Sequence, residues 1–274
     1  MATWRCVLAV LAVLAILSPP ASADDDAQPA NGRAVREANA AGFRFLVFET
    51  ADAKSDATLP MILGLHYSGA TPEAMLAYFD DIDFPARVVL PQGAYPRRGG
   101  YSWFASDYAG LDEARQAAKT FEVEQALSTF IESTLARHPT RGKPVVMGIS
   151  YGGDLALLLA LRHPRQLRAA FPVAARFLPA WMPSGNVCDS VACAPIRAMH
   201  GHHDTTVPMA PTREAMEHLR GLGFDAELQP YRGVAHDFDA RMQRDFARRA
   251  KHLLAPEPGV GGDRRPLPTC ITRS

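Results

Sequence analysis

An excess of charge of either sign is missing from this sequence. Its 274 residues carry 29 Lys and Arg against 29 Asp and Glu, with no long basic run. Such a balance leaves no electrostatic footprint for a nucleic acid, so no nucleic-acid partner is expected. Long apolar runs are missing too. The stretch from Val7 to Leu17 falls well short of the roughly 20 residues that cross a bilayer. Cysteine is scarce, at 4 residues. Without CxxC spacing, Cys188, Cys193 and Cys270 do not suggest a zinc site, and no metal is expected. No internal repeat is present, which argues against a solenoid or propeller.

The short apolar run has a different meaning at its position. Arg5 precedes it, Pro19-Pro20 break it, and Ala21-Ser22-Ala23 supplies a small-residue cleavage site before Asp24-Asp25-Asp26. Residues 1–23 read as a secretory signal peptide, so the mature chain is expected in the periplasm or outside the cell, with no stable membrane insertion after cleavage. Cys6 leaves with that segment. Cys188 and Cys193 are spaced to close a small loop by a disulfide, and Cys270 is an alternative partner for either; the odd count leaves the pairing open.

What is present is ordinary for one large globular domain: 47% hydrophobic and 21% charged residues. Residues 24–42 are polar and Ala-rich and read as a loose N-terminal arm; 43–254 form the domain; 255–274 read as a flexible tail. Phe43–Glu49 is an expected edge strand. Met61–His66, Arg87–Leu90, Lys143–Met147, Ala169–Ala174, Arg197–His200 and Ala226–Tyr231 are further strands. Helices are expected over Pro72–Phe79, Leu111–His138, Gly153–His163, Thr212–Leu222 and Phe238–Leu253, and Pro91–Ala109 as a long loop. Strands alternating with helices imply an α/β fold, a mostly parallel central sheet with helices on both faces.

One pentapeptide carries chemistry. Gly148-Ile149-Ser150-Tyr151-Gly152 joins an apolar strand to a helix, a sharp turn that exposes a serine hydroxyl beside the positive end of a helix. A serine needs a base, and the base needs an acid to hold its tautomer. His236, after the last strand, is the candidate base; Asp204, after the penultimate strand, is the candidate acid. Both lie at carboxyl ends of strands, where open α/β sheets place their sites. Rivals are weaker. His66 precedes the serine and more often shapes an oxyanion loop. The spacing of His200, His202, His203 and Asp204 does not suit a metal. Asp237 and Asp239 are too close in sequence to His236 to orient its ring, and Asp154 reads as a first-turn helix charge.

The residues from about Phe43 to Leu254 resemble the carboxylesterase/phospholipase branch of the α/β-hydrolases, and are also similar to secreted polyester depolymerases and feruloyl esterases. The matching pieces are Leu65-His66-Tyr67-Ser68-Gly69, Pro91-Gln92-Gly93, Tyr101-Ser102-Trp103-Phe104, Gly148 to Gly153, His200-Gly201-x-x-Asp204-x-x-Val207-Pro208 and Gly233-x-x-His236. The order Ser150, Asp204, His236 is that of the fold. The resemblance implies a cofactor-free serine hydrolase cleaving carboxylic esters, small or polymeric, through an acyl-enzyme. It also implies an oxyanion hole from the N–H of Tyr151 and one from Tyr67 or Ser68. Tyr67 stands where the family usually has glycine. Trp103 and Trp181, in irregular segments near the expected site, are candidates to line the substrate pocket. The same triad would serve an amide or peptide hydrolase, and the fold also serves non-catalytic binding proteins.

Overall fold

The computed structural model describes residues 33–185, 188 and 192–255. In chain order the elements are strands β1 Arg36–Ala40, β2 Phe43–Glu49, β3 Met61–Leu65 and β4 Arg87–Pro91, and a small hairpin of β5 Tyr95–Arg97 and β6 Gly100–Ser102. Then come helix α1 Glu113–Arg137, β7 Val145–Ile149, α2 Tyr151–Arg162, β8 Ala169–Val173, β9 Ile196–Gly201, α3 Met209–Gly221, β10 Ala226–Tyr231 and α4 Ala240–Leu254. Eight strands form one sheet in the order β1-β2-β4-β3-β7-β8-β9-β10. β1–β2 and β2–β4 pair antiparallel; the pairs from β4 to β10 are parallel.

Burial on both faces explains the strand composition. β3, β4, β7 and β8 are buried at every residue, which selects continuous apolar runs over alternation. Successive side chains go to opposite faces. In β7, Val146 joins a core built with Leu127 and Phe130 of α1, Leu155 and Leu159 of α2, and Met216 and Leu219 of α3. Val145, Met147 and Ile149 join a second core with Phe79 and with Met242, Phe246 and Ala250 of α4. Helix α2 is buried from Gly152 to Leu161 and, apart from Asp154, is apolar all round. Asp112 caps α1 by accepting from Arg115 N at 2.8 Å, and Asp239 caps α4 by accepting from Met242 N at 2.9 Å.

Three expectations change, and one open alternative is decided. Arg36–Ala40, placed by the sequence in a loose arm, is the edge strand, so β2 is not at the edge. Its Arg-Glu-Ala-Asn-Ala carries little apolar signal. Its order comes from β2 across the Ala41-Gly42 turn, where both residues have positive φ (46° and 83°), the geometry of a two-residue hairpin. The helix expected at Pro72–Phe79 is a 3-10 helix over Glu73–Phe79. The long loop contains the β5–β6 hairpin, turned by Arg98 and Gly99 with φ of 51° and 83°. Cys188 and Cys193 form a disulfide with Cα atoms 5.4 Å apart. Residues 1–23, Cys270 and the expected tail beyond residue 255 lie outside the described residues. Among the described residues, no helix is long and apolar enough to cross a membrane.

Candidate active site

Ser150 sits between β7 and α2 with φ 54° and ψ −119°, a conformation L-residues rarely adopt. Two glycines make the turn possible. A Cβ on Gly148 would lie 2.0 Å from Gly152 O, and one on Gly152 would lie 2.2 Å from Leu65 O. Ser150 N donates to Val173 O at 2.9 Å, and Asp154 N donates to Ser150 O at 2.9 Å, opening the helix. The hydroxyl is therefore fixed at the carboxyl end of the sheet, over a helix N-terminus.

Folding brings the other two candidates to it. His236 Nε2 lies 3.1 Å from Ser150 Oγ, and His236 Nδ1 lies 2.8 Å from Asp204 Oδ2. A carboxylate only accepts, so Nδ1 carries the proton and Nε2 is free to accept from the serine. Asp204 is held by its own loop: Oδ1 accepts from Thr206 N at 2.9 Å and Val207 N at 2.8 Å, leaving Oδ2 turned toward the imidazole. The two loops are tied by His203 N donating to Val234 O at 2.8 Å. They touch closely enough that a Cβ on Gly201 would lie 2.1 Å from Ala235 O.

The turn after β3 completes the site. His66 is fully buried; its Nδ1 donates to Tyr67 O at 2.8 Å and its Nε2 accepts from Gly93 N at 2.9 Å. Burial pushes its pKa down to about 4, so it stays neutral, as both bonds require. Gly69 N donates to Tyr101 O at 2.8 Å and Tyr101 N donates to Ala70 O at 2.9 Å, which fastens the turn to β6. Tyr67, Ser68 and Tyr151 border, with Ser150 and His236, a cleft of 570 Å³. Tyr78 also lines it. Burial, then Tyr67 and Asp237, push the pKa of its phenol up to about 12, so it remains protonated.

The two tryptophans do not line this cleft. Trp103 is 1% exposed, stacks on the His66 ring with centroids 4.6 Å apart, and donates from Nε1 to His66 O at 2.7 Å. It supports the turn from behind. Trp181 is 3% exposed and packs with Ala117 and Leu158. Large aromatic area went into the core, which irregular local sequence does not reveal. Among the described residues, no group of three or more His, Cys, Asp or Glu is arranged to hold a metal ion.

The sequence of residues 49–253 matches the phospholipase/carboxylesterase family. The chain belongs to this family. A probable inactive carboxylesterase of rice (Oryza sativa subsp. japonica) is 26% identical over 141 residues, half of this chain, and the chain spans 57% of that relative's length. The crystal structure of a Bacillus cereus carboxylesterase superposes with a TM-score of 0.63 at 16% identity, over 77% of this chain and 94% of that one. A Mesorhizobium loti carboxylesterase gives a TM-score of 0.63 at 18% identity, over 81% and 99%. The fold is that of the α/β-hydrolases.

Sequence reasoning missed one feature of this hydrolase-family site. Asp154, expected as a simple first-turn charge, is fully buried and accepts from Arg176 N (2.7 Å), Nε (2.9 Å) and Nη2 (2.7 Å). Arg176 also donates to Tyr108 OH and Gln116 Oε1, both at 3.1 Å, and lies 4.9 Å over the Tyr151 ring. Burial opposes its charge, yet Asp154 raises its pKa well above the ordinary arginine value. An acid in the first turn of an otherwise apolar helix was the available signal; its partner lies 22 residues on.

Proposed function

We propose that this protein is a secreted serine hydrolase that cleaves carboxylic esters through an acyl-enzyme. The observation that carries this reading is the continuous chain from Ser150 Oγ through the two nitrogens of His236 to Asp204 Oδ2, at 3.1 and 2.8 Å. His236 takes the Ser150 proton on Nε2 as Oγ attacks the carbonyl carbon. The developing oxyanion is received by the N–H of Tyr151, at the start of α2, and a second N–H from the Tyr67–Ser68 turn. His236 then passes the proton to the departing alkoxide, and water repeats the cycle to release the acid. Asp204 orients the ring and holds its tautomer.

The rice relative bears the word inactive in its name. In this chain a serine, a base and an acid of the required types are all present and joined by hydrogen bonds, which favours activity. The Cys188–Cys193 disulfide and the signal-like residues 1–23 support an oxidising compartment outside the cytoplasm. Ser150→Ala is expected to lower turnover of p-nitrophenyl esters by at least about a thousandfold while leaving the thermal melt in place. A fluorophosphonate should label the wild type at Ser150 and leave the variant unlabelled. Matched ester and amide substrates test the bond cleaved, with the ester favoured; turnover unaffected by the substitution rejects the assignment.

A further inference from the structure

We propose that the cleft beside Ser150 takes esters whose acyl portion ends in an anion, monoesters of dicarboxylic acids above all, with Arg97 and Arg98 as the counter-charge. The proposal rests on the ester-hydrolase reading and adds its substrate class.

Three arginines border the cleft: Arg97, Arg98 and Arg176. Arg176 is occupied, since Asp154, Tyr108 and Gln116 take its donors. Arg97 and Arg98 differ. Among the described residues, neither guanidinium has a carboxylate partner or a side-chain hydrogen bond. Elsewhere several arginines find acids, Arg36 and Arg87 with Glu49, Arg162 with Glu124 and Arg249 with Glu227, while Arg137 and Arg220 donate to backbone carbonyls instead. Two adjacent unpaired cations at the mouth of a reactive cleft are left to meet a charge from outside.

Their placement is fixed. The Arg98-Gly99 turn is a tight two-residue hairpin, and the hairpin backbone rests on the turn that follows His66. A Cβ on Gly100 would lie 2.3 Å from Gly69 O, and one on Gly69 would lie 3.7 Å from the Cβ of Arg98. The arginines are thus mounted on the same turn that would offer an N–H to the oxyanion. Asp237, which follows His236, also borders the cleft. The leaving alcohol takes its proton from His236, so an anion on the alcohol would meet Asp237. An anion on the acyl portion avoids that carboxylate and reaches the arginine wall.

The contacts are solvent-facing and screened, so the effect expected is about fivefold and salt-sensitive. The test uses the full-length protein with ethyl esters of one length: monoethyl adipate and its neutral counterpart ethyl adipamate. The wild type should favour the anionic ester in kcat/KM by about fivefold at low salt. The ratio should approach one in about 0.5 M NaCl, and in the double variant Arg97→Gln, Arg98→Gln. Arg97→Glu with Arg98→Glu should invert it. A second pair, 4-acetoxybutanoate and 4-acetoxybutanamide, places the charge on the alcohol and should show no preference for the anion. A wild-type ratio of one or less, a preference that survives in the double variant, or a preference confined to the alcohol-side pair overturns the proposal. Failure to hydrolyse any ester defeats the ester-hydrolase reading instead. In that event NMR titration with adipate still decides the subsite: shifts lost in the double variant support it, and no binding by the wild type overturns it.

Discussion

A single buried imidazole shows how much of the site is held by neutral side chains. His66 donates from one ring nitrogen and accepts at the other, and a proton on Nε2 would break the bond from Gly93 N. With the folded pKa pushed down to about 4 and the unfolded value near 6.5, the unfolded chain binds the extra proton between those limits. The contribution of His66 is therefore complete above about pH 6.5 and is lost as pH falls toward about 4, to a limit of about 3 kcal/mol. Urea titrations of the wild type and His66→Phe at pH 7 and pH 4.5 should show a steeper loss for the wild type; parallel losses would contradict the account. A second residue-scale test concerns Asp154. Arg176→Met strands its buried carboxylate and should cost about 3 kcal/mol, the low end for a broken buried pair because the arginine side chain is 25% exposed. Adding Asp154→Leu should restore most of that stability, which a urea midpoint would register.

At the scale of elements, the turn between β7 and α2 depends on backbone touching backbone. Gly152 lets α2 approach β3 until only a hydrogen fits, with Leu65 O and His66 O both inside 3 Å of where a Cβ would stand. Carbonyl groups of a central strand have nowhere to retreat. Gly152→Ala is expected to destabilise by about 3 kcal/mol or more and to abolish ester turnover together with the melt's cooperativity. Gly221, at the end of α3, has nothing within 4 Å of its would-be Cβ and carries no positive φ. Gly221→Ala should be neutral or raise stability by about 0.5 kcal/mol, read from the same melts. The β5–β6 hairpin is the element whose role was least visible beforehand: it fastens the turn after β3 and carries Arg97 and Arg98 to the cleft.

Across the whole molecule, the candidate active site and a buried arginine network sit at opposite ends of the sheet. Ser150, Asp204 and His236 follow the carboxyl ends of β7, β9 and β10. At the amino end of β4, Arg87 is fully buried; its Nε donates to Glu49 Oε1 at 2.9 Å, and its other nitrogens donate to Pro139 O at 2.9 Å and Ser55 O at 2.7 Å. Burial alone would raise the pKa of Glu49, but Arg36 and Arg87 more than offset it and hold it below the ordinary value. Removing Arg87 leaves that carboxylate with Arg36 alone and takes a donor from the carbonyls of Ser55, Ala57 and Pro139, the last of which still accepts from Leu59 N. Arg87→Met should cost about 2–3 kcal/mol in stability, for the carbonyls left without a donor and the weakened ion pair, with kcat of the folded fraction unchanged, because no contact links it to the cleft. Denaturation curves and active-site titration of the same preparation would check both halves.

Local patterns determined what depends on neighbours in sequence. The bounds of β10 at Ala226–Tyr231, the long helix α1, and the serine between two glycines were legible because burial imposes a composition on each segment separately. The order Ser150, Asp204, His236 came from the resemblance to the α/β-hydrolases, and the structure sets His236 within hydrogen-bonding distance of the other two. Only the tertiary structure decided the rest. β1 has almost no apolar signal and is a strand because β2 offers it a partner. Trp103 and Trp181 went to the core instead of the cleft because their rings could be buried there, a choice made by distant residues. Arg176 found Asp154, and Arg97 and Arg98 were left without an acid, because charges pair by distance in space, which composition and periodicity do not encode.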